Sequence, residues 1–205
     1  MHSRNDYSPF LYHWIKPASK VTSPKHAMDE AYSVMQQIFE CGYLRASGKD
    51  TFKNIESICF SESPKEVMRH QSSKYLPFGF AFEKEYIFEL GGRHVIYQTK
   101  EEADILPPSL HWRHVTYDPS DIAASKPDGV NFTWEREWRL NDSTLNILDC
   151  HSVIVPNQDY KEMLEADIEH WKKFPEYMHA MTGTYVDSGP YKRYTPSFIE
   201  LFEVL

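Results

Sequence analysis

The sequence has no apolar run long enough to cross a membrane. Stretches such as Val95-Ile96-Tyr97 and Ile154-Val155 fall far short of the roughly 20 residues that a bilayer-spanning helix requires. Basic charge is in deficit as well, with Lys+Arg 22 against Asp+Glu 30 and a net charge of −8. That balance removes any global pull toward nucleic acid or an anionic membrane, and leaves room only for a local basic patch. Cysteine is scarce: Cys41, Cys59 and Cys150 are odd in number and far apart, as expected of reduced thiols filling a core in a reducing compartment. The polar start Met1-His2-Ser3-Arg4-Asn5-Asp6 lacks the apolar stretch of a secretory signal, so the expected location is the cytoplasm. Glycine and proline are few, at 8 and 13 residues of 205, and neither an internal repeat nor a low-complexity segment occurs. With 41% hydrophobic residues, the expectation is one folded domain over 1–205. A core of that size buries roughly 70% of the unfolded chain's surface without help from a disulfide or a structural metal.

Hydrophobic spacing predicts the elements. Phe10-Leu11-Tyr12-His13-Trp14 reads as a first strand with His13 near its end. Met28, Ala31, Tyr32, Met35, Ile38 and Phe39 share one helical face between Pro24, suited to a first turn, and Gly42, suited to a left-handed cap. Ile58-Cys59-Phe60-Ser61 is a compact strand, followed by a helix start in which Ser63 caps and Glu66 completes a capping box. Strands are expected over 78–82, 93–98 and 113–117, with a short helix over 83–90 ended by Gly91-Gly92. The polar stretch 118–129 reads as a loop. The strongest strand signal spans 131–140, with Phe132, Trp134, Arg136, Trp138 and Leu140 on one face and Thr133, Glu135, Glu137 and Arg139 on the other. Short strands follow at 145–148 and 152–155, then an amphipathic helix over 159–171 and a last strand in the aromatic tail 184–205. One early helix followed by many short strands gives an α+β fold with a mixed, mostly antiparallel sheet and a few short helices.

Several motifs carry chemistry. Glu135 and Glu137, two residues apart on one strand face, place two carboxylates within reach of a shared ligand; the plainer explanation is a solvated face with a Glu–Arg pair. His13 lies in an apolar setting that also suits a hydrogen-bonded core histidine. Ser61-Glu62-Ser63 brings two hydroxyls and a carboxylate to a strand end, where a helix cap is the default role. His111 and His114, three apart in an expected strand, would point to opposite faces, which argues against zinc. Gly91-Gly92-Arg93 lacks the Gly-Lys-Ser/Thr of a phosphate loop, and no Gly-x-Ser-x-Gly elbow occurs. A metal-dependent nuclease built on Glu135, Glu137 and Asp128 is disfavoured because no Lys follows the pair at short spacing.

In order, Leu11-Tyr12-His13-Trp14, Glu40-Cys41-Gly42-Tyr43-Leu44, Ile58 to Pro64, Phe78 to Lys84, Gly91 to Tyr97 and Phe132 to Arg139 resemble the bacterial AbiGi-type abortive-infection proteins over about residues 10 to 155. More remotely the series is similar to DarT-like ADP-ribosyltransferases, whose NAD-binding cleft lies in a split β-sheet. The resemblance implies an ADP-ribosyltransferase-like split sheet with NAD as substrate. It makes Glu137 the catalytic glutamate, with Glu135 orienting or deprotonating the acceptor. His13 would hold the ribose and nicotinamide amide, Ser61 and Ser63 would supply the hydroxyl-rich motif, and Phe80, Phe82 or Tyr97 would stack on nicotinamide. Arg45 or Arg69 would be the cleft arginine. The acceptor would be a protein side chain or a nucleic-acid base, the latter held by Arg93, Arg113 and Arg136. The same resemblance admits a noncatalytic antitoxin or binding partner of a cognate toxin, with Tyr185, Tyr191, Tyr194 and Phe198 at its interface.

Overall fold

In the computed structural model, residues 8–16, 23–49, 51–65, 77–118 and 132–205 are described. The stretch 118–129 read as a loop lies almost wholly outside them, as do Glu66 of the expected capping box, Arg69 and Asp128. In chain order the elements are β1 (Phe10–Trp14), α1 (Pro24–Cys41), β2 (Tyr43–Arg45), β3 (Ile58–Ser61), β4 (Gly79–Glu83), α2 (Lys84–Glu89), β5 (Arg93–His94), β6 (Ile96–Gln98) and α3 (Lys100–Ala103). Then come β7 (His114–Thr116), β8 (Glu137–Leu140), β9 (Thr144–Asn146), β10 (Ser152–Val155), α4 (Gln158–Thr182), α5 (Pro196–Ile199) and β11 (Phe202–Val204). Helices and strands are mixed, and the strands pair mostly antiparallel in open sheets.

Two compact units emerge, each assembled from three stretches of chain. One takes the described parts of Met1–His13, Leu44–Pro64 and Phe82–Leu145; the other takes those of Trp14–Tyr43, Lys65–Ala81 and Asn146–Leu205. In the first, β8 pairs antiparallel with both β3 and β5, and β1 pairs antiparallel with β3. The registers are Tyr12 with Ser61, Ser61 with Glu137, Phe60 with Trp138, Cys59 with Arg139, and His94 with Trp138. A separate parallel pair joins β6 to β7. In the second unit, β10 pairs antiparallel with Gly79–Ala81 of β4 and parallel with β11.

The second unit is organised around Phe39 of α1, whose ring lies 4.9 Å from Tyr194, 5.9 Å from Phe202 and 6.0 Å from Phe80. Helix α1 follows its sequence signals: Pro24 occupies the first turn, Ala31, Tyr32, Met35 and Phe39 are buried, and Gly42 caps at φ 85° with its N–H donating to the Ile38 carbonyl at 2.7 Å. Only glycine takes that left-handed conformation without strain, and the Arg193 guanidinium occupies the space a Cβ would need. The aromatic tail corrects one expectation. Tyr191, Tyr194 and Phe198 are buried, with Tyr194 donating its hydroxyl to the Phe39 carbonyl, and only Tyr185 of the proposed interface set is exposed. Core packing has claimed them, Tyr194 and Phe198 against Phe39 and Tyr191 against Trp171 and Tyr194.

Other corrections have equally local causes. Helix α4 continues to Thr182 with Pro175 inside it, well beyond the expected end at 171. The stretch 93–98 is two strands, because Arg93, His94 and the Val95 amide, which donates to the Glu137 carbonyl at 3.0 Å, stay on β8, whereas from Ile96 onward the chain pairs with β7 instead. His111 lies in a 3-10 turn, Pro108–Arg113, rather than in a strand. The tighter period brings both histidines to the same ring, with Phe52 5.3 Å from His111 and 4.9 Å from His114.

Candidate functional site

Of the residues singled out as NAD-site candidates, His13, Ser61, Ser63, Phe82, Tyr97, Glu135 and Glu137 lie in the first unit, whereas Phe80 belongs to the second. The segment around the glutamate pair departs most from expectation. Strand β8 begins only at Glu137; Phe132–Glu135 is a 3-10 turn, and Arg136 between them adopts φ 45°, a left-handed conformation uncommon for a non-glycine residue. Glu135 and Glu137 therefore do not share a strand face.

Side-chain hydroxyls hold this joint where ladder bonds would otherwise run. Ser61 Oγ donates to the Glu135 carbonyl at 2.9 Å, the Glu62 amide donates to the same carbonyl at 3.1 Å, and Ser63 Oγ donates to the Trp134 carbonyl. Ser63 thus binds a distant turn, a role that a local cap reading does not foresee.

Beyond the joint, strand alternation holds. Glu137 and Arg139 share one face with Cys59 and Ser61, their cross-strand partners. The Arg139 Nε donates to Glu137 Oε1 at 2.7 Å, and its Nη1 donates to the carbonyls of Trp112 at 3.1 Å and His114 at 3.0 Å. With side-chain exposures of 5% for Arg139 and 14% for Glu137, this is a shielded ion pair with an anchored guanidinium. Tyr97 Oη accepts the Glu137 amide at 3.3 Å. Burial pushes the Tyr97 hydroxyl up to about 12. Burial first, and the Glu137 carboxylate after it, push the Cys59 thiol up to about 11, so Cys59 is no ready nucleophile.

His13 is on the other face. Because Tyr12 pairs with Ser61, His13 sides with Phe60, from which its ring centroid is 6.1 Å away, and its Nδ1 lies 2.9 Å from the Cys59 carbonyl oxygen. Phe82 is fully buried, 5.9 Å from Phe60, and Phe80 is equally enclosed, so neither offers a ring to a ligand. Tyr97 is the one aromatic candidate that is both partly exposed and next to Glu137. Ser61 and Glu135 are each 4% exposed. Arg93 donates to the backbone carbonyls of Phe88 and Gly92, and Arg113 to that of His94. No protein-family model, curated protein or solved structure matches the chain.

The face that His13 shares carries a second cluster. Glu62 Oε1 accepts from Lys84 Nζ at 2.6 Å, Glu62 Oε2 accepts from the Trp138 indole N–H at 2.9 Å, and His94 Nε2 lies 3.5 Å from Glu62 Oε2. Burial alone would raise the Glu62 carboxyl, but the hydrogen bonds from Lys84 and Trp138 hold it below its ordinary value. His94, 4.2 Å from Trp138 by ring centroids, is lowered by burial against the opposing pull of Glu62. Lys84 and Trp138 also line an open groove of about 500 Å³ with Pro9, Phe10, Glu83, Glu85 and Phe88. The signal for Glu62 in the sequence is its place two residues after Phe60, which continues the Phe60 face past the strand end. No group of three or more His, Cys, Asp or Glu is placed to hold a metal, and no helix is long and apolar enough to cross a membrane, among the described residues.

Proposed function

We propose that the chain is an NAD-dependent ADP-ribosyltransferase-like protein of a bacterial anti-phage or toxin–antitoxin system, with Glu137 as its catalytic carboxylate and NAD as its substrate. The observation that carries this reading is strand adjacency. Strands β1, β3 and β8 run side by side, so the His13 strand, Ser61-Glu62-Ser63 and Glu135-Arg136-Glu137, far apart in sequence, become neighbours within one unit, with Ser61 paired to Glu137. Cleaving the nicotinamide–ribose bond builds positive charge on the ribose. A carboxylate that accepts from the ribose 2′-hydroxyl and offsets that charge lowers the barrier. Glu137 has the charge for this step, Tyr97 offers the ring beside it, and Arg139 fixes the carboxylate's direction as a positioning residue. Glu135 is buried and set off the Glu137 face by the Arg136 joint, and it is its backbone carbonyl that Ser61 and Glu62 engage; its carboxylate is the candidate for orienting or deprotonating the acceptor. The acceptor is a protein side chain or an unpaired base, and a cytoplasmic location goes with the reading.

The test is a melting curve with NAD and an assay of nicotinamide release. NAD at 100 times its dissociation constant is expected to stabilise the wild-type chain by about 2.7 kcal/mol. Glu137→Gln is expected to keep that shift and lose turnover. Turnover retained in Glu137→Gln, or a wild-type melting curve indifferent to NAD, overturns the assignment.

One observation favours a second reading, a noncatalytic partner of a cognate toxin or antitoxin. The register separates His13 from Glu137 by the thickness of β3, dividing the pair that the transferase resemblance joins. This reading predicts no NAD shift and a stable complex with the partner.

A further inference from the structure

We infer that the groove beside Trp138 is a docking site for a cationic side chain, Arg or Lys, on a basic segment of a partner protein. The groove is bounded by the start of β1 and the first turn of α2, which the Lys84 amide ties together by donating to the Pro9 carbonyl at 2.9 Å. Its walls are Phe10, Phe88 and Trp138; its rim carries the exposed carboxylates Glu83 and Glu85.

The polar atoms on its floor are already committed. The Trp138 N–H and the Lys84 ammonium both bind Glu62, so the indole contributes only its apolar surface and the lysine charge is balanced from behind. Glu83 and Glu85 have no cation paired with them among the described residues, so two unpaired carboxylates stand over the aromatic walls, with Arg93, on the Phe88 ring, the nearby cation. Carboxylates beside ring faces are the arrangement that holds a guanidinium or ammonium group, by ion pairing and cation–π attraction together. The molecule makes this contact internally, with the Arg93 guanidinium carbon 3.9 Å from the centroid of the Phe88 ring. The net charge of −8 adds long-range attraction for a basic partner, and about 500 Å³ admits a short segment rather than one side chain alone. A phosphate backbone would meet the two rim carboxylates and be repelled.

The inference is independent of the NAD reading, since it concerns the face away from Glu137. Its test is titration of the full chain with a fluorescent tetra-arginine peptide, beside a tetra-glutamate peptide and a single-stranded oligonucleotide. Glu83→Gln/Glu85→Gln is expected to weaken tetra-arginine binding about tenfold. A control pair at exposed positions elsewhere, Glu176→Gln/Glu200→Gln, removes the same charge and is expected to change binding less than about twofold. Phe88→Ser, at a residue 49% exposed, is expected to weaken binding while the chain still melts cooperatively, with at most a small drop in melting temperature from the lost Arg93 contact. Equal losses in the two double variants, no binding of tetra-arginine by the wild type, or tighter binding of the oligonucleotide would each overturn the proposal.

Discussion

The first unit holds two mostly buried glutamates on opposite faces of the β3–β8 pairing, each in an ion pair of nearly equal length. Glu137 meets Arg139 at 2.7 Å, and Glu62 meets Lys84 at 2.6 Å. Their surroundings differ. Arg139 is 5% exposed and also satisfies two carbonyls, so its fork is fixed from both ends. Lys84 is 19% exposed on the groove floor, and Glu62 divides its oxygens between that flexible ammonium and an indole N–H. One pair locks a carboxylate's direction; the other uses a carboxylate to hold down a groove floor.

The largest expected effect breaks the locked pair. Arg139→Met leaves Glu137 shielded without a countercharge and two carbonyls without a donor, and is expected to cost about 3–5 kcal/mol in urea unfolding. Adding Glu137→Gln in the same chain is expected to recover part of that loss. No recovery would mean that Arg139 acts through the carbonyls alone. Glu62→Gln is expected to cost less, about 1.5–3 kcal/mol at neutral pH, because Lys84 can turn toward water. Its pH dependence sharpens the contrast. A carboxyl held below its ordinary 4.5 in the folded state contributes stability that is present above that pH and lost as pH falls through the lowered value, so the gap between wild type and Glu62→Gln should narrow below about 4.5. A gap unchanged in acid would show that the carboxylate's charge is not what Lys84 and Trp138 recognise. The smallest effect is Ser61→Ala, about 1–1.5 kcal/mol for the buried bond to the Glu135 carbonyl and the longer one accepted from the Ser63 amide at 3.3 Å. A loss several times larger in the same unfolding measurement would mean that the Arg136 joint depends on that hydroxyl.

What could be read in advance depended on whether the cause was local. Pro24, the apolar stripe of α1 and Gly42 specify a helix with a start and a stop, and the helix forms between them. Strand β3 coincides with its expected span, and within Glu137–Leu140 the alternation of Trp138 and Leu140 against Glu137 and Arg139 holds. The alternating pattern over 131–136 misled because acceptor carbonyls there are taken by Ser61 and Ser63, some seventy residues earlier in the chain, and no local periodicity registers such a competitor. Tyr191, Tyr194 and Phe198 look like a surface patch until Phe39 is brought against Tyr194 and Phe198, and Trp171 against Tyr191. The facing of His13 followed from register, which a lone first strand does not encode.

The interleaving of the two units bears on how the molecule comes into being. Synthesis must pass Leu145 before the first unit has all its parts, and the second waits for Phe202–Val204 to reach β10. Until then β10, buried at all four positions in the finished protein, presents Val153, Ile154 and Val155 along an unpaired edge. Nascent chains stalled or cleaved ahead of Phe202 are accordingly the species most prone to self-association and to capture by chaperones.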